Sequence, residues 1–205
     1  MTGRCRGDAV KIGLVSDIHG NARALARAFA LLGDVDEVFA LGDSINQYRF
    51  SNEVVRLLKE RGAHTIVGNH EEAFFSPAGA RARDHQWIDR GLMAWLGEQP
   101  PRRMVEMCGK RLLLVHSTPW TPGGDYVVPE SPAFARFGEA DAEIVLYGHT
   151  HQPASARVNG VHVVNPGSVG EAHVGDSAAL LNCAVLDVVS QDVRQIAFAL
   201  EEGAA

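Results

Sequence analysis

Short apolar runs broken by glycine and polar residues recur along the chain. Val10–Val15 (VKIGLV), Glu37–Leu41 (EVFAL) and His64–Val67 (HTIV) have strand length and are rich in β-branched or aromatic residues. Ile144–Tyr147 (IVLY) is a fourth such run, stopping at Gly148. Met104–Met107 and Arg111–Val115 flank Cys108-Gly109-Lys110 and read as a hairpin. Ala154–Val158 and Val161–Val164 flank Asn159-Gly160, a strong hairpin signal. Two further strands are expected at about Ala178–Val188 and Val193–Leu200. Helical spacing predicts Ala22–Leu32 capped by Asn21, and Asn52–Arg61 capped by Ser51 and stopped by Gly62. Asn69 is an expected cap for a helix starting near His70. Another helix is expected over Asp84–Leu96, with Trp87, Ile88, Leu92 and Trp95 as a core stripe, and a short one over Pro132–Glu139. Pro119–Pro132, rich in Pro and Gly, reads as a functional loop or partial lid. Strands alternating with helices predict an α/β fold. No internal repeat or linker divides the chain, so residues 1–205 are expected to form a single domain.

Several predicted strands end in a residue able to bind metal. Asp17-x-His19 follows the first, Gly42-Asp43 the second, and Gly68-Asn69-His70-Glu71 the third. His116 follows Leu112–Val115, and His149-x-His151 follows the run ending at Gly148. In extended chain, residues i and i+2 point the same way, so each spaced pair leaves its strand on one side. The carboxyl ends of adjacent strands in α/β sheets share one rim, where ligands bind. Taken singly, Asp17 is an ordinary cap, Gly42-Asp43 a common turn and His-x-His a solvated face. Five of the nine histidines nevertheless fall at these strand ends. Oxygen and imidazole donors without thiolate suit Mn, Fe, Zn or Ni. A carboxylate bridging two such ions can hold a shared water and lower its pKa for attack on phosphorus. His64, His85, His162 and His173 match none of these positions and read as surface or core residues.

Composition narrows the choice. The chain of 205 residues is 46% apolar and carries a formal net charge of −6, so it can build a core and lacks the basic surface of a duplex nucleic-acid or membrane binder. The three cysteines are widely spaced with no CxxC, which argues against a disulfide framework and fits a reducing cytosol. Met1–Asp8 is polar and shows no signal peptide, and no run approaches the ~20 apolar residues of a membrane span. A cytoplasmic location is expected. No GxSxG elbow or GxxxxGK[ST] loop is present in the sequence.

Asp-x-His, Gly-Asp, Gly-Asn-His-Glu, a lone post-strand His and Gly-His-Thr-His, in that order, resemble the calcineurin-like metallophosphoesterase superfamily. The short chain and the loop Asn165–Gly170 make it similar to the small bacterial and archaeal phosphodiesterase branch. The resemblance runs from about Ile12 to Gly170. It implies a four-layer αββα sandwich of two mixed sheets flanked by helices, with the site at the strand-end rim. It implies two divalent ions, manganese first among the candidates. Asp17, His19, Asp43 and His151 would hold one, and Asp43, Asn69, His116 and His149 the other. His70 would be catalytic rather than a ligand, assisting the leaving group or the transition state. The implied activity is hydrolysis of a small phosphodiester or nucleotide by a metal-bridging hydroxide. A phosphomonoesterase of the same mechanism and a non-catalytic scaffold of the same fold are the alternatives, and a homo-oligomer stays open. The turn Gly42–Arg49 departs from the family's usual one, which leaves the roles of Tyr48 and Arg49 undefined. Trp120, Asp125 and Tyr126 are either pocket lining or solvated loop.

Overall fold

The computed structural model describes residues 2–3, 9–121, 124–173 and 179–200. Its strands are β1 (Thr2–Gly3), β2 (Lys11–Val15), β3 (Glu37–Ala40), β4 (His64–Thr65), β5 (Arg102–Met107), β6 (Lys110–Val115), β7 (Ile144–Leu146), β8 (Ala154–Val158), β9 (Val161–Asn165), β10 (Leu181–Asp187) and β11 (Val193–Phe198). The α-helices are α1 (Ala22–Leu32), α2 (Asn52–Glu60), α3 (Asn69–Phe75), α4 (Ala80–Arg83) and α5 (Arg90–Gly97), with 3₁₀ segments at Pro77–Gly79 and Pro132–Glu139.

Two mixed sheets result. One has the order β11-β10-β2-β3-β4 and the other β1-β5-β6-β7-β9-β8. In the first, α1 and α2 are the crossovers that make β2, β3 and β4 parallel, while β10 runs antiparallel to β2. In the second, β6, β7 and β9 are parallel and two hairpins supply the antiparallel pairs. Alternate residues of each central strand feed different layers. Ile12, Leu14 and Phe39 meet Leu112, Leu114, Ile144, Leu146, Ala184 and Leu186 between the sheets. Val15, Val38 and Ala40 face α1 and α2 through Leu25, Ala28, Val54 and Leu58. Val145, Tyr147 and Val163 face Phe134 and Phe137 of the second 3₁₀ segment. Both faces of β2 and β7 are thus buried, which explains their unbroken apolar runs. The four expected layers are present, and the outer cover of the second sheet is thinner than expected. It consists of the Pro132–Glu139 segment rather than α-helices.

Local boundaries moved for identifiable reasons. The helix expected over Asp84–Leu96 starts only at Arg90, because the Asp89 carboxylate accepts from Gly91 and Leu92 N–H and caps there. Trp87 consequently lies outside that helix, 51% exposed, while Ile88 and Leu92 are buried. The strand expected over His64–Val67 pairs only at His64–Thr65, and Val67 N–H instead donates to Pro100 O. The cap of α3 is Gly68, not Asn69, which is already helical. Cys183 is a buried free thiol. Most of Met1–Asp8, and Ala178 in the strand expected from that residue, lie outside the described residues.

Candidate metal centre

The carboxyl ends of β2 and β3 in one sheet and of β6 and β7 in the other open onto a common rim. The chain turns there under constraint. Asp17, His19, Asp43, His149 and His151 all have positive φ, between 48° and 66°. For a residue with a Cβ each such conformation costs on the order of 1–3 kcal/mol, so the surroundings must hold it. Backbone bonds do so. Ile18 and His19 N–H donate to Asp43 O at 2.8 and 3.0 Å, and Asp17 N–H donates to Gly42 O at 3.1 Å. The loop Asn165–Gly170 closes beneath them. Ser168 Oγ and Gly170 N–H donate to Asp17 O, and Asn165 Nδ2 donates to Gly148 O. Gly148 and Gly68 permit the close approach. A Cβ on Gly148 would run into Ser16 Oγ, and one on Gly68 into Asp43 Oδ1.

Three groups of side chains could each hold a metal ion, their donor atoms lying within 4.8 Å of one another. They are Asp17, His19 and His151; His19, Asp43 and His70; and Asp43, His116 and His149. His19 and Asp43 are shared, so the groups form one continuous cluster. Asn69 joins through Oδ1, 3.0 Å from His116 Nε2. All eight positions singled out in the sequence therefore meet. His70 sits closer to the donors than a bystander would. Its Nε2 is 3.9 Å from Asp43 Oδ2, its ring is 4.6 Å from that of His19, and its backbone N–H donates to Asp43 Oδ1 at 2.9 Å.

The donor chemistry fits a cation. His116 Nδ1 lies 2.7 Å from Leu41 O, a pure acceptor, so Nδ1 carries a hydrogen. His116 Nε2 then faces Asp43 Oδ2 at 3.2 Å, Asn69 Oδ1 at 3.0 Å and His149 Nδ1 at 3.2 Å. Nε2 carries one hydrogen at most, which cannot serve both the Asp43 and Asn69 oxygens well, whereas a divalent ion could be shared by all these donor atoms. Asp17 is fully buried and its Oδ1 has no hydrogen-bond partner. A carboxylate left so would be costly. His19 Nε2 and His151 Nε2 lie 3.1 Å apart, and His151 Nε2 is 3.4 Å from Asp17 Oδ1.

Without a metal the cluster compensates with protons. Burial disfavours the Asp43 carboxylate, yet His116 and His70 hold its pKa down to about 2. Burial opposes the charge on His116, but Asp43 and Asp17 raise it to about 10. Burial and the neighbouring His116 press His149 down to about 4. Asp17 is lowered too, burial being outweighed by His151 and His116. A proton on His116 thus stands where a cation would neutralise the carboxylates.

One supporting residue had no role assigned from the sequence. Glu71 is fully buried and accepts from Asp43, Ile45 and Gly68 N–H at 2.8–3.0 Å. It ties the turn after β3 to the start of α3. Burial and the Asp43 charge push it up to about 7, against the pull of the amides. Glu three residues after a helix cap was the available signal. Three of the unassigned histidines have partners outside the cluster. His162 is buried and hydrogen-bonded to Ser155, His64 pairs with Glu37, and His85 is exposed beside Trp87. Among the described residues no helix is long and apolar enough to cross a membrane.

The chain belongs to the calcineurin-like phosphoesterase superfamily, whose domain matches residues 10–191. It is 26% identical to an uncharacterized protein of Methanocaldococcus jannaschii, with 82% of this chain and 79% of that one covered. It is 36% identical to the symmetrical bis(5'-nucleosyl)-tetraphosphatase of Paracidovorax citrulli over 50% of this chain and 42% of that enzyme. The fold is similar to that of a metallophosphoesterase from Sphaerobacter thermophilus. The TM-score is 0.76 at 24% identity, with 93% of this chain and 88% of that one covered.

Proposed function

We propose that residues 1–205 form a single domain that hydrolyses small phosphoesters, with phosphodiesters or nucleotides as substrates, at a centre of two divalent metals. The observation that carries this reading is the continuity of the donor cluster through Asp43 and His19. Asp17, His19, Asp43 and His151 would hold one ion, and Asp43, Asn69, His116 and His149 the other. Bound metals supply Lewis-acid neutralisation of the phosphoryl oxygens and lower the pKa of the attacking water. The chain's own residues do the rest. Asp43 joins the two halves of the cluster. The Leu41 carbonyl orients His116, because the bond to Nδ1 turns Nε2 toward the donors. His70, half-buried beside Asp43, would donate a hydrogen bond or proton to the leaving oxygen. The partial match to a tetraphosphatase supports a nucleotide substrate. A scaffold without catalysis is disfavoured, because a buried cluster of carboxylates and imidazoles has no structural use that an apolar core would not serve better.

One preparation tests this. The protein is stripped with chelator, reloaded with Mn²⁺, assayed for metal per chain, and given bis-p-nitrophenyl phosphate and p-nitrophenyl phosphate. Two metals and preference for the diester are expected. Two metals with monoester preference would make it a phosphatase. Folded protein with neither metal nor turnover would leave the scaffold.

A further inference from the structure

The loop after β6 carries one aromatic ring onto the cluster and fixes it there. Ser117, next in sequence to His116, donates through Oγ to Asp125 O at 2.5 Å. Trp120 Nε1 donates to Asp125 Oδ2 at 3.2 Å. Trp120 is itself held between Phe137, 5.2 Å away between ring centroids, and the Arg136 guanidinium, 4.2 Å from its ring. Tyr126 follows Asp125 directly. Its ring lies on that of His149 with centroids 4.0 Å apart and planes inclined by 28°. It nevertheless remains 72% exposed. One face of the ring rests on His149 and the other is open to solvent at the mouth of the cluster.

A scattered surface tyrosine needs no explanation. Tyr126 differs, because the residue before it is bonded both to the neighbour of His116 and to an anchored tryptophan. A rigid aromatic ring with two side-chain torsions gives up little entropy when it receives a planar ligand. We propose that Tyr126 is a stacking platform for a nucleobase carried by the substrate beside its scissile phosphorus. The proposal rests on the phosphoesterase reading above and deepens it, naming a nucleotide ester as the substrate class and Tyr126 as the residue that selects it. The phenol oxygen is not required, since the ring face does the work.

Calorimetric titration of the metal-reloaded protein with AMP and with ribose 5-phosphate tests the platform apart from turnover. Base–aromatic stacking predicts roughly ten-fold tighter binding of AMP. Tyr126→Phe should keep that preference, Tyr126→Ala should lose it, and metal per chain should not change in either variant. Equal affinity of the unaltered protein for the two phosphates would overturn the proposal. So would a preference that survives in Tyr126→Ala. Loss of metal from Tyr126→Ala would also overturn it, making the ring a prop for His149. Binding of neither phosphate would sink the phosphoesterase reading, and the platform with it.

Discussion

Asp43 is where the site's contacts converge. Its Oδ2 lies 3.2 Å from His116 Nε2, its Oδ1 accepts from His70 N–H, and its carbonyl takes the N–H groups of Ile18 and His19. Asp43→Asn keeps the size but halves the acceptor capacity of the side chain. It should lower metal content and remove most of the turnover. Near-normal activity at full metal loading would end the bridging assignment. His70→Ala separates ligand from catalyst. With both metals retained, turnover should fall by roughly 10²–10⁴-fold, the usual range for removing an acid–base group. A drop in metal content would instead place His70 among the ligands, a reading its position near His19 and Asp43 makes worth measuring. Glu71→Gln addresses support rather than chemistry. Its amide would present donors where two oxygens now accept three N–H groups, costing about 1–3 kcal/mol of stability by thermal melting. An unchanged melting temperature would show that Glu71 does not hold the turn.

At the scale of elements, the strands were readable and their ends were not. A buried strand between two packed layers announces itself as an apolar run, and β2, β3 and β7 all fall within the runs read from the sequence. Helix α1 matches its predicted span, because Asn21 caps it through Oδ1 and its apolar positions keep helical spacing. α3 and α5 begin elsewhere than expected, since capping is decided by which acceptor reaches the free N–H groups. The candidate donor types and their order were also legible, each sitting one to four residues beyond an apolar run. The left-handed turns that aim them were not, because an aspartate or histidine in that conformation looks no different in sequence. Gly148 is the test at this scale. Gly148→Ala would press a methyl into Ser16 Oγ across the junction of β7 and β2. A loss of about 1–3 kcal/mol and weakened metal binding are expected, measured by denaturant unfolding and metal titration. Full metal affinity in a destabilised variant would show that the junction serves stability alone.

For the whole molecule, the cluster links stability to pH and metal. His116 titrates near 10 in the folded protein against about 6.5 when unfolded. Its contribution without metal is therefore present below about pH 6.5 and is lost as pH rises toward 10. Asp43, near 2 against an ordinary 3.8, works the other way, contributing above about pH 4 and losing that as pH falls toward 2. Chelator-treated protein should melt at progressively lower temperature between pH 6.5 and 10, and metal should flatten the decline by replacing the proton on His116. Parallel pH profiles with and without metal would overturn that linkage. The sequence by itself determined which residue types stand beyond which apolar runs, because burial and metal chemistry each restrict the choice of side chain. Only the tertiary structure decided that strand ends from two different sheets share one rim and that Glu71 and Asn165 hold it. The same is true of Tyr126 lying on His149. Such contacts join residues far apart in the chain, and their geometry depends on how the sheets pack rather than on any local pattern.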